Sequence, residues 1–320
     1  MKISVLGCGR WGSFLAWYMH KLGHSVISYG PGDIIFNELL RTRENEYVKY
    51  PDSIILTSDL KKAVESAEII IVSIGSQVLR GFLKQVTAFD LTRKKIVLCM
   101  KGIEEGTGKR LSEIALECGV QKNQIAVWVG PGHIQDFTKN IPNCMVIDSY
   151  NPELTKNLSD NFKSELIRFY YGDDIIGTEV GAATKNIMGI VAGVLDGMNY
   201  ASLKGPLMAR GAREVSRLIK AMGGNEFSAY GLCHLGDYET TLFSKYSHNR
   251  MWGEAYAKGE TFPKLAEGVA TARAVQVLAA QYNTEMPITD AVNAMIRNQL
   301  SQKELLKTLF GRDTKIEFYS

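Results

Sequence analysis

At 320 residues, 45% of them hydrophobic, the chain is long enough for two compact domains with well-buried cores. A formal net charge of only +3, with no basic run interleaved by aromatics, argues against a nucleic-acid partner. Apolar stretches are strand-length or broken by charge, so no membrane insertion is expected, and because Lys2 already opens a strand-like run, no signal peptide is expected either.

Lys2-Ile3-Ser4-Val5-Leu6 predicts a first buried strand, followed by the turn Gly7-Cys8-Gly9-Arg10-Trp11-Gly12. Phe14, Leu15, Tyr18, Met19 and Leu22 recur at helical spacing, and Gly23 suits the helix C-terminus. His24 to Tyr29 then supplies a second strand and completes a βαβ unit. In such a unit Gly7 permits the tight turn, Gly9 lets a pyrophosphate approach the backbone, and Gly12 lets helix and strand pack closely. The free N–H groups of the helix start face the phosphates. His20 and His24 read as exposed helix-end residues.

Further strands are predicted at Ile54–Thr57, Ile69–Ser73, Ile96–Met100, Ile125–Val129, Cys144–Ile147 and Leu166–Tyr171. Helices are expected between them at Asp59–Ala67, Ser76–Val86 and Gly108–Glu117. Apolar strands alternating with helices predict an α/β fold, a mostly parallel sheet covered on both faces. Ligands to such a sheet bind beyond the carboxyl ends of its strands, which singles out Gly75 to Gln77, Lys101-Gly102 and Gly130-Pro131-Gly132-His133. From about Gly177 the strand signal ends. Helices are predicted at Thr178–Leu195, Met208–Ala221, Gly268–Ala280 and Ile288–Arg297. The expected division is 1–178 for a dinucleotide-binding domain and 179–320 for a helical domain, packed tightly with a cleft between them.

Lys185 lies among small and apolar residues on one of these helices, where partial desolvation lowers a lysine's pKa and makes it a usable proton donor or acceptor. Taken alone, a lysine snorkelling off an amphipathic helix is the simpler explanation. Asn186 beside it suits a substrate hydroxyl. Lys101, directly after a buried strand, suits an anionic ligand or a developing alkoxide. Asp237 and Thr241 are four residues apart and share a face if the segment is helical, with Asp237 orienting Lys185; a helix N-cap explains Asp237 equally well. His248-Asn249-Arg250 fits a phosphate or a solvated surface cluster. His133, Gln135 and Asp136 invite a metal or triad reading, but no histidine pair or cysteine cluster completes one. The five scattered cysteines (Cys8, Cys99, Cys118, Cys144, Cys233) fit free thiols in a reducing cytosol, hence a cytoplasmic protein.

These segments, in this order, resemble NAD(P)-dependent sn-glycerol-3-phosphate dehydrogenase of the soluble bacterial type. The resemblance rests on Gly7 to Gly12, Met100 to Thr107, Gly130-Pro131, Glu179 to Asn186, Gly236-Asp237 with Thr241, Asn249-Arg250, Glu267-Gly268 and Glu285 to Thr289. It implies a Rossmann-type doubly wound sheet followed by an all-α domain, usually as a homodimer, acting on a small phosphorylated substrate. By matching position, Lys185 would protonate the ketone oxygen during reduction, Lys101 would bind substrate, and Asp237 and Thr241 would hold lysine and substrate. Asn186, His248, Asn249 and Arg250 would complete the substrate site. Gly7, Gly9, Arg10, Trp11, Gly12, Tyr29, Ser76, Lys101, Arg250 and Glu267 would contact the cofactor, NAD or NADP.

The chain departs from the family pattern in places. His248 replaces an arginine expected to grip the substrate phosphate, so Arg250 or Lys245 would compensate, or the substrate would be another phosphorylated or phosphonylated ketone or aldehyde. Gly132-His133-Ile134 follows Gly130-Pro131, where the family usually has Ser/Thr-Phe-Ala, and Gly75 replaces a proline. Pro31 stands near the position of an arginine suited to a 2′-phosphate, which favours NAD. A non-catalytic NAD(H) sensor is the alternative from another class, and the Lys101, Lys185, Asp237, Thr241 set argues against it.

Overall fold

A computed structural model describes residues 1–311 and 316–317. Its first half runs β1 (Lys2–Leu6), α1 (Arg10–Lys21), β2 (Ser25–Tyr29), α2 (Ile34–Thr42), β3 (Ile55–Thr57), α3 (Leu60–Glu65), β4 (Ile69–Val72), α4 (Leu79–Val86) and β5 (Lys95–Leu98). It continues with α5 (Leu111–Glu117), β6 (Ile125–Val129), α6 (Ile134–Phe137), β7 (Asn143–Ser149), α7 (Pro152–Phe162) and β8 (Ile167–Tyr171). The second half is helical: α8 (Ile175–Gly197), α9 (Lys204–Ala221), α10 (His248–Lys258), α11 (Glu267–Gln281), α12 (Pro287–Ile296) and α13 (Gln302–Phe310).

The eight strands form one sheet in the order β3-β2-β1-β4-β5-β6-β7-β8. All neighbours are parallel except β6 and β7, because the connection between them holds only a four-residue helix and turns the chain back along β6. The chain winds outward from β1 to β3 and then crosses to β4 on the other side of β1. That reversal opens a crevice beyond the carboxyl ends of β1 and β4, where the turn 7–12 and the segment 73–77 face each other. Phe14, Trp128, Phe137 and Phe162 anchor the core on one face of the sheet, while Leu79, Leu83, Leu111 and Ile114 cover the other.

The apolar periodicity marked every strand and the buried helices, but five helices were not anticipated: the four-residue α6, and α2, α7, α10 and α13. Each of the last four has a strong start signal. Asp33, Asn151, Ser247 and Ser301 accept hydrogen bonds from backbone N–H groups two or three residues on. His24 is half-buried rather than exposed, its ring packed against Phe162. Among the described residues no helix is long and apolar enough to cross a membrane, and the five cysteines are free thiols.

Helix α8, almost entirely buried, is the axis of the second half, with α9, α10, α11 and α12 packed around it. It is tied to the start of α5 by the buried pair of Glu179 with Arg110 at 2.7 Å, reinforced by the N–H and hydroxyl of Ser112. Helices α8 and α10 touch backbone to backbone. A Cβ on Gly253 would lie 2.0 Å from the Ile190 carbonyl oxygen, and one on Gly193 would lie 1.9 Å from that of Arg250. Gly253→Ala therefore forces the helices apart. Its helix-propensity gain of under about 1 kcal/mol is outweighed by an overpacking cost of about 1–3 kcal/mol or more. The expected outcome is a thermal midpoint several degrees lower; an unchanged midpoint would show that the crossing opens freely.

Candidate active site

A cavity of about 600 Å³ lies between the carboxyl ends of the strands and the helical half. Its wall on the sheet side comes from Arg10 and Trp11, from Ser73 and Ile74 after β4, from Lys101 after β5, and from Gly132 to Gln135 after β6. The helical half contributes Lys185, Asn186, Thr240, Thr241, residues 246–249, Lys264, Leu265 and Glu267.

The turn 7–12 has the shape of a phosphate cradle. Gly7 sits at φ +113° and a Cβ there would meet the Ser73 carbonyl at 2.1 Å; a Cβ on Gly12 would meet the Gly7 carbonyl at 1.9 Å. Those two positions are closed to any side chain. Gly9 is the opposite, with nothing within 4 Å of a built Cβ. No side chain caps α1 and no acid occupies its first turn, so its leading N–H groups remain available to an anion. The turn thus fits a dinucleotide pyrophosphate, with Arg10 and Trp11 on the cleft side.

Opposite the turn stands a lysine–aspartate–lysine cluster. The Nζ of Lys185 is 2.6 Å from Asp237 Oδ2 and donates to Thr241 Oγ1 at 2.8 Å. The hydroxyl of Thr241 in turn donates to the Asp237 carbonyl at 2.7 Å, which leaves its lone pairs for the ammonium. Lys101 Nζ reaches the same carboxylate oxygen at 2.7 Å and the Gly130 carbonyl at 2.7 Å. The hydroxyl of Thr240 donates to the other carboxylate oxygen. Burial lowers Lys185 to about 7 against the pull of Asp237, with the Lys101 ammonium adding to the lowering. Burial alone would raise the Asp237 carboxyl, yet the two ammonium groups hold it below the usual range. The anticipated shared helix face takes another form: residues 235–237 form a 3₁₀ turn and residues 239–243 a π turn, and Asp237 caps no helix.

Asn186 lines the cavity and donates to the Lys101 carbonyl at 3.4 Å. Asn249 also lines it, its side-chain oxygen accepting from Gly268 N at 2.9 Å. Ser76 and Glu267 meet across the halves, the Ser76 N–H donating to the carboxylate at 3.4 Å. Burial raises the Glu267 carboxyl, with the Ser76 hydrogen bonds opposing.

Two expected contacts are corrected. Arg250 lies outside the cavity: it pairs with Glu254 at 2.7 Å and with Asp196 at 3.3 Å, because its place on α10 turns it away from the face that carries His248 and Asn249. Tyr29 also lies outside; its ring packs on Phe82, and only its carbonyl serves the site, accepting from Gly7 N at 3.0 Å. Lys245, the other proposed substitute, stacks over the Tyr246 ring at 5.4 Å and does not line the cavity.

The sequence reading missed Thr240, Tyr246 and Lys264. Thr240 adjoins a predicted residue, but nothing in the pattern around Lys264 signals a cleft position. His133 lines the cleft edge-on to Tyr246 at 5.6 Å, and no group of metal-binding side chains exists among the described residues. Gly132 has a structural reason to be glycine here, with φ +148° and a Cβ that would strike the Phe137 ring at 2.4 Å.

The comparisons with known proteins agree with this geometry. The family model described as NAD-dependent glycerol-3-phosphate dehydrogenase N-terminus matches residues 2–155, and the one described as its C-terminus matches residues 174–307. The chain is 35% identical to the glycerol-3-phosphate dehydrogenase (NAD(P)+) of Fusobacterium nucleatum, over 100% of its own length and 99% of that protein. It is likewise 35% identical to the enzyme of the same name from Prosthecochloris aestuarii, over 99% of this chain and 100% of that one. Among solved structures, the glycerol-3-phosphate dehydrogenase of Coxiella burnetii superposes with a TM-score of 0.91 at 26% identity, covering 97% of this chain and 99% of that one.

Proposed function

The chain belongs to the NAD-dependent glycerol-3-phosphate dehydrogenase family, and from this we infer that it interconverts dihydroxyacetone phosphate and sn-glycerol 3-phosphate with NAD or NADP. The observation that carries the mechanistic part is the buried Lys185 ammonium, held between Asp237 and Thr241 in the wall of the cleft. The turn 7–12, Arg10 and Trp11 would hold the cofactor, which when bound serves as two-electron donor or acceptor. Lys185 gives its proton to the ketone oxygen in reduction and takes it back in oxidation. Lys101 places a second positive charge beside that oxygen, where negative charge develops. Asp237 keeps both ammonium groups in place, and Asn186 orients the substrate.

The reading favours NAD, since the loop after β2 carries Pro31 and the Asp33 carboxylate caps α2, leaving no cation there for a 2′-phosphate. It extends to a homodimer in the cytoplasm, with residues 1–178 holding cofactor and 179–320 most of the substrate site. His248 in place of an arginine favours, as a second reading, another phosphorylated or phosphonylated ketone or aldehyde.

The test follows from the proton. Reduction needs the ammonium form of Lys185, so its rate falls as pH rises through about 7. Oxidation needs the free amine, so its rate falls as pH drops through the same region. NADH consumption with dihydroxyacetone phosphate, and NAD reduction with glycerol 3-phosphate, are measured across pH. Limbs of opposite slope meeting near neutrality support the role; parallel limbs overturn it, and no turnover on either compound removes the substrate.

A further inference from the structure

A phosphorylated substrate needs a cation for its dianionic end, and this chain has a histidine where the family pattern has an arginine. The two basic residues nearest in sequence do not replace it. Arg250 is ion-paired to Asp196 and Glu254, and Lys245 is stacked on Tyr246, both outside the cleft. Within the cleft, Lys101 and Lys185 share the Asp237 carboxylate, and Arg10 belongs to the pyrophosphate turn. Among the described residues, Lys264 is the remaining cleft-lining lysine, exposed and without a carboxylate partner.

His248 explains how Lys264 comes to be there. Its Nδ1 lies 3.2 Å from the Leu265 carbonyl, which can only accept, so Nδ1 carries the proton. Its ring meets that of Phe262 edge-on at 5.8 Å. The imidazole thus clasps the segment 260–266 at two points flanking Lys264. Burial, together with the cations Arg10 and Lys264 nearby, holds the ring below the ordinary histidine range, so at neutral pH it is not itself the positive charge.

We propose that Lys264 grips the phosphate of the substrate and that His248 is a positioning residue, acting through its hold on segment 260–266. The inference rests on the substrate being a phosphorylated ketone. A lysine ammonium binds phosphate as a mobile point charge, where arginine would bind it as a bidentate fork. The family's phosphate grip is therefore rebuilt here from two residues on different elements.

The experiment measures the affinity of the full-length protein for glycerol 3-phosphate and inorganic phosphate by calorimetry, beside kcat and KM for dihydroxyacetone phosphate. Lys264→Met is expected to weaken glycerol 3-phosphate binding and raise KM by about 10–100-fold with kcat little changed. Lys264→Arg restores most of the loss. His248→Phe keeps the ring packing but removes the N–H, and is expected to weaken binding several-fold. The double variant His248→Phe/Lys264→Met should bind no worse than Lys264→Met alone, because the histidine acts through the lysine. Thermal melting of each variant checks the fold.

Affinity within twofold of wild type in Lys264→Met overturns the proposal. Multiplying losses in the double variant also overturn it, since they would put His248 on the substrate itself. If the wild type binds phosphate through Lys264 but turns over no dihydroxyacetone phosphate, the anion site stands and the assigned reaction falls. Full turnover with an indifferent Lys264 means the reverse.

Discussion

Lys185→Ala is expected to lower turnover of dihydroxyacetone phosphate by roughly 10²–10⁴-fold, the span a positioned proton donor contributes. Lys185 is 6% exposed, and both partners of its nitrogen, Asp237 and Thr241, orient it without competing for its role. Lys101 cannot step in, because its own ammonium is fixed between Asp237 and the Gly130 carbonyl. The substitution leaves Asp237 paired with Lys101, so no carboxylate is stranded and the fold should survive. Cofactor affinity should be nearly unchanged, since the turn 7–12 belongs to another element. Steady-state NADH oxidation with a parallel NADH fluorescence titration separates the two effects. Turnover near wild type would assign the proton to another group.

How much of this site could be read in advance depended on whether a residue's role is local. The turn 7–12 was legible because its glycines answer to constraints within one βαβ unit. Lys185 was legible as chemistry only in company: alone it is an ordinary helix lysine, and its meaning comes from Asp237, 52 positions away in the chain. Lys264 was invisible for the same reason. Its place in the cleft is set by contacts from His248 to Phe262 and Leu265. Arg250 shows the converse error, since adjacency to Asn249 suggested a shared role while the helix rotates it onto Asp196 and Glu254.

Strands were easier than surface helices. A strand buried on both faces, such as Ile125–Val129, is a continuous apolar run that little else produces. Helices α7 and α10 have polar faces and short apolar stripes, and their strongest signal is the cap, Asn151 or Ser247, which periodicity alone ignores. The antiparallel return at β7 goes with a connection whose one helix, α6, has only four residues, a feature that the apolar pattern of the strands does not carry.

Asp237→Asn is the second substitution with a large expected effect, and it probes the electrostatics rather than the proton itself. The carboxylate is 1% exposed and its Oδ2 atom serves two ammonium groups at 2.7 and 2.6 Å. Asparagine keeps the size but removes the charge, so the buried Lys185 and the half-buried Lys101 face each other without a counter-ion. Lys185 already lies near neutrality through burial, and losing the adjacent anion lowers its pKa by a further ~1–3 units. At pH 7 the ammonium fraction then drops from about a half to about a tenth to a thousandth, and reduction slows by about 5–500-fold. Oxidation, which needs the free amine, should suffer less, and the falling limb of the reduction profile should move to lower pH. Thermal melts distinguish this from misfolding, because lowering pH should restore part of the reduction rate only if the lysine has lost its proton. A reduction limb still centred near pH 7 in the variant would mean that Asp237 positions the lysine without tuning its charge.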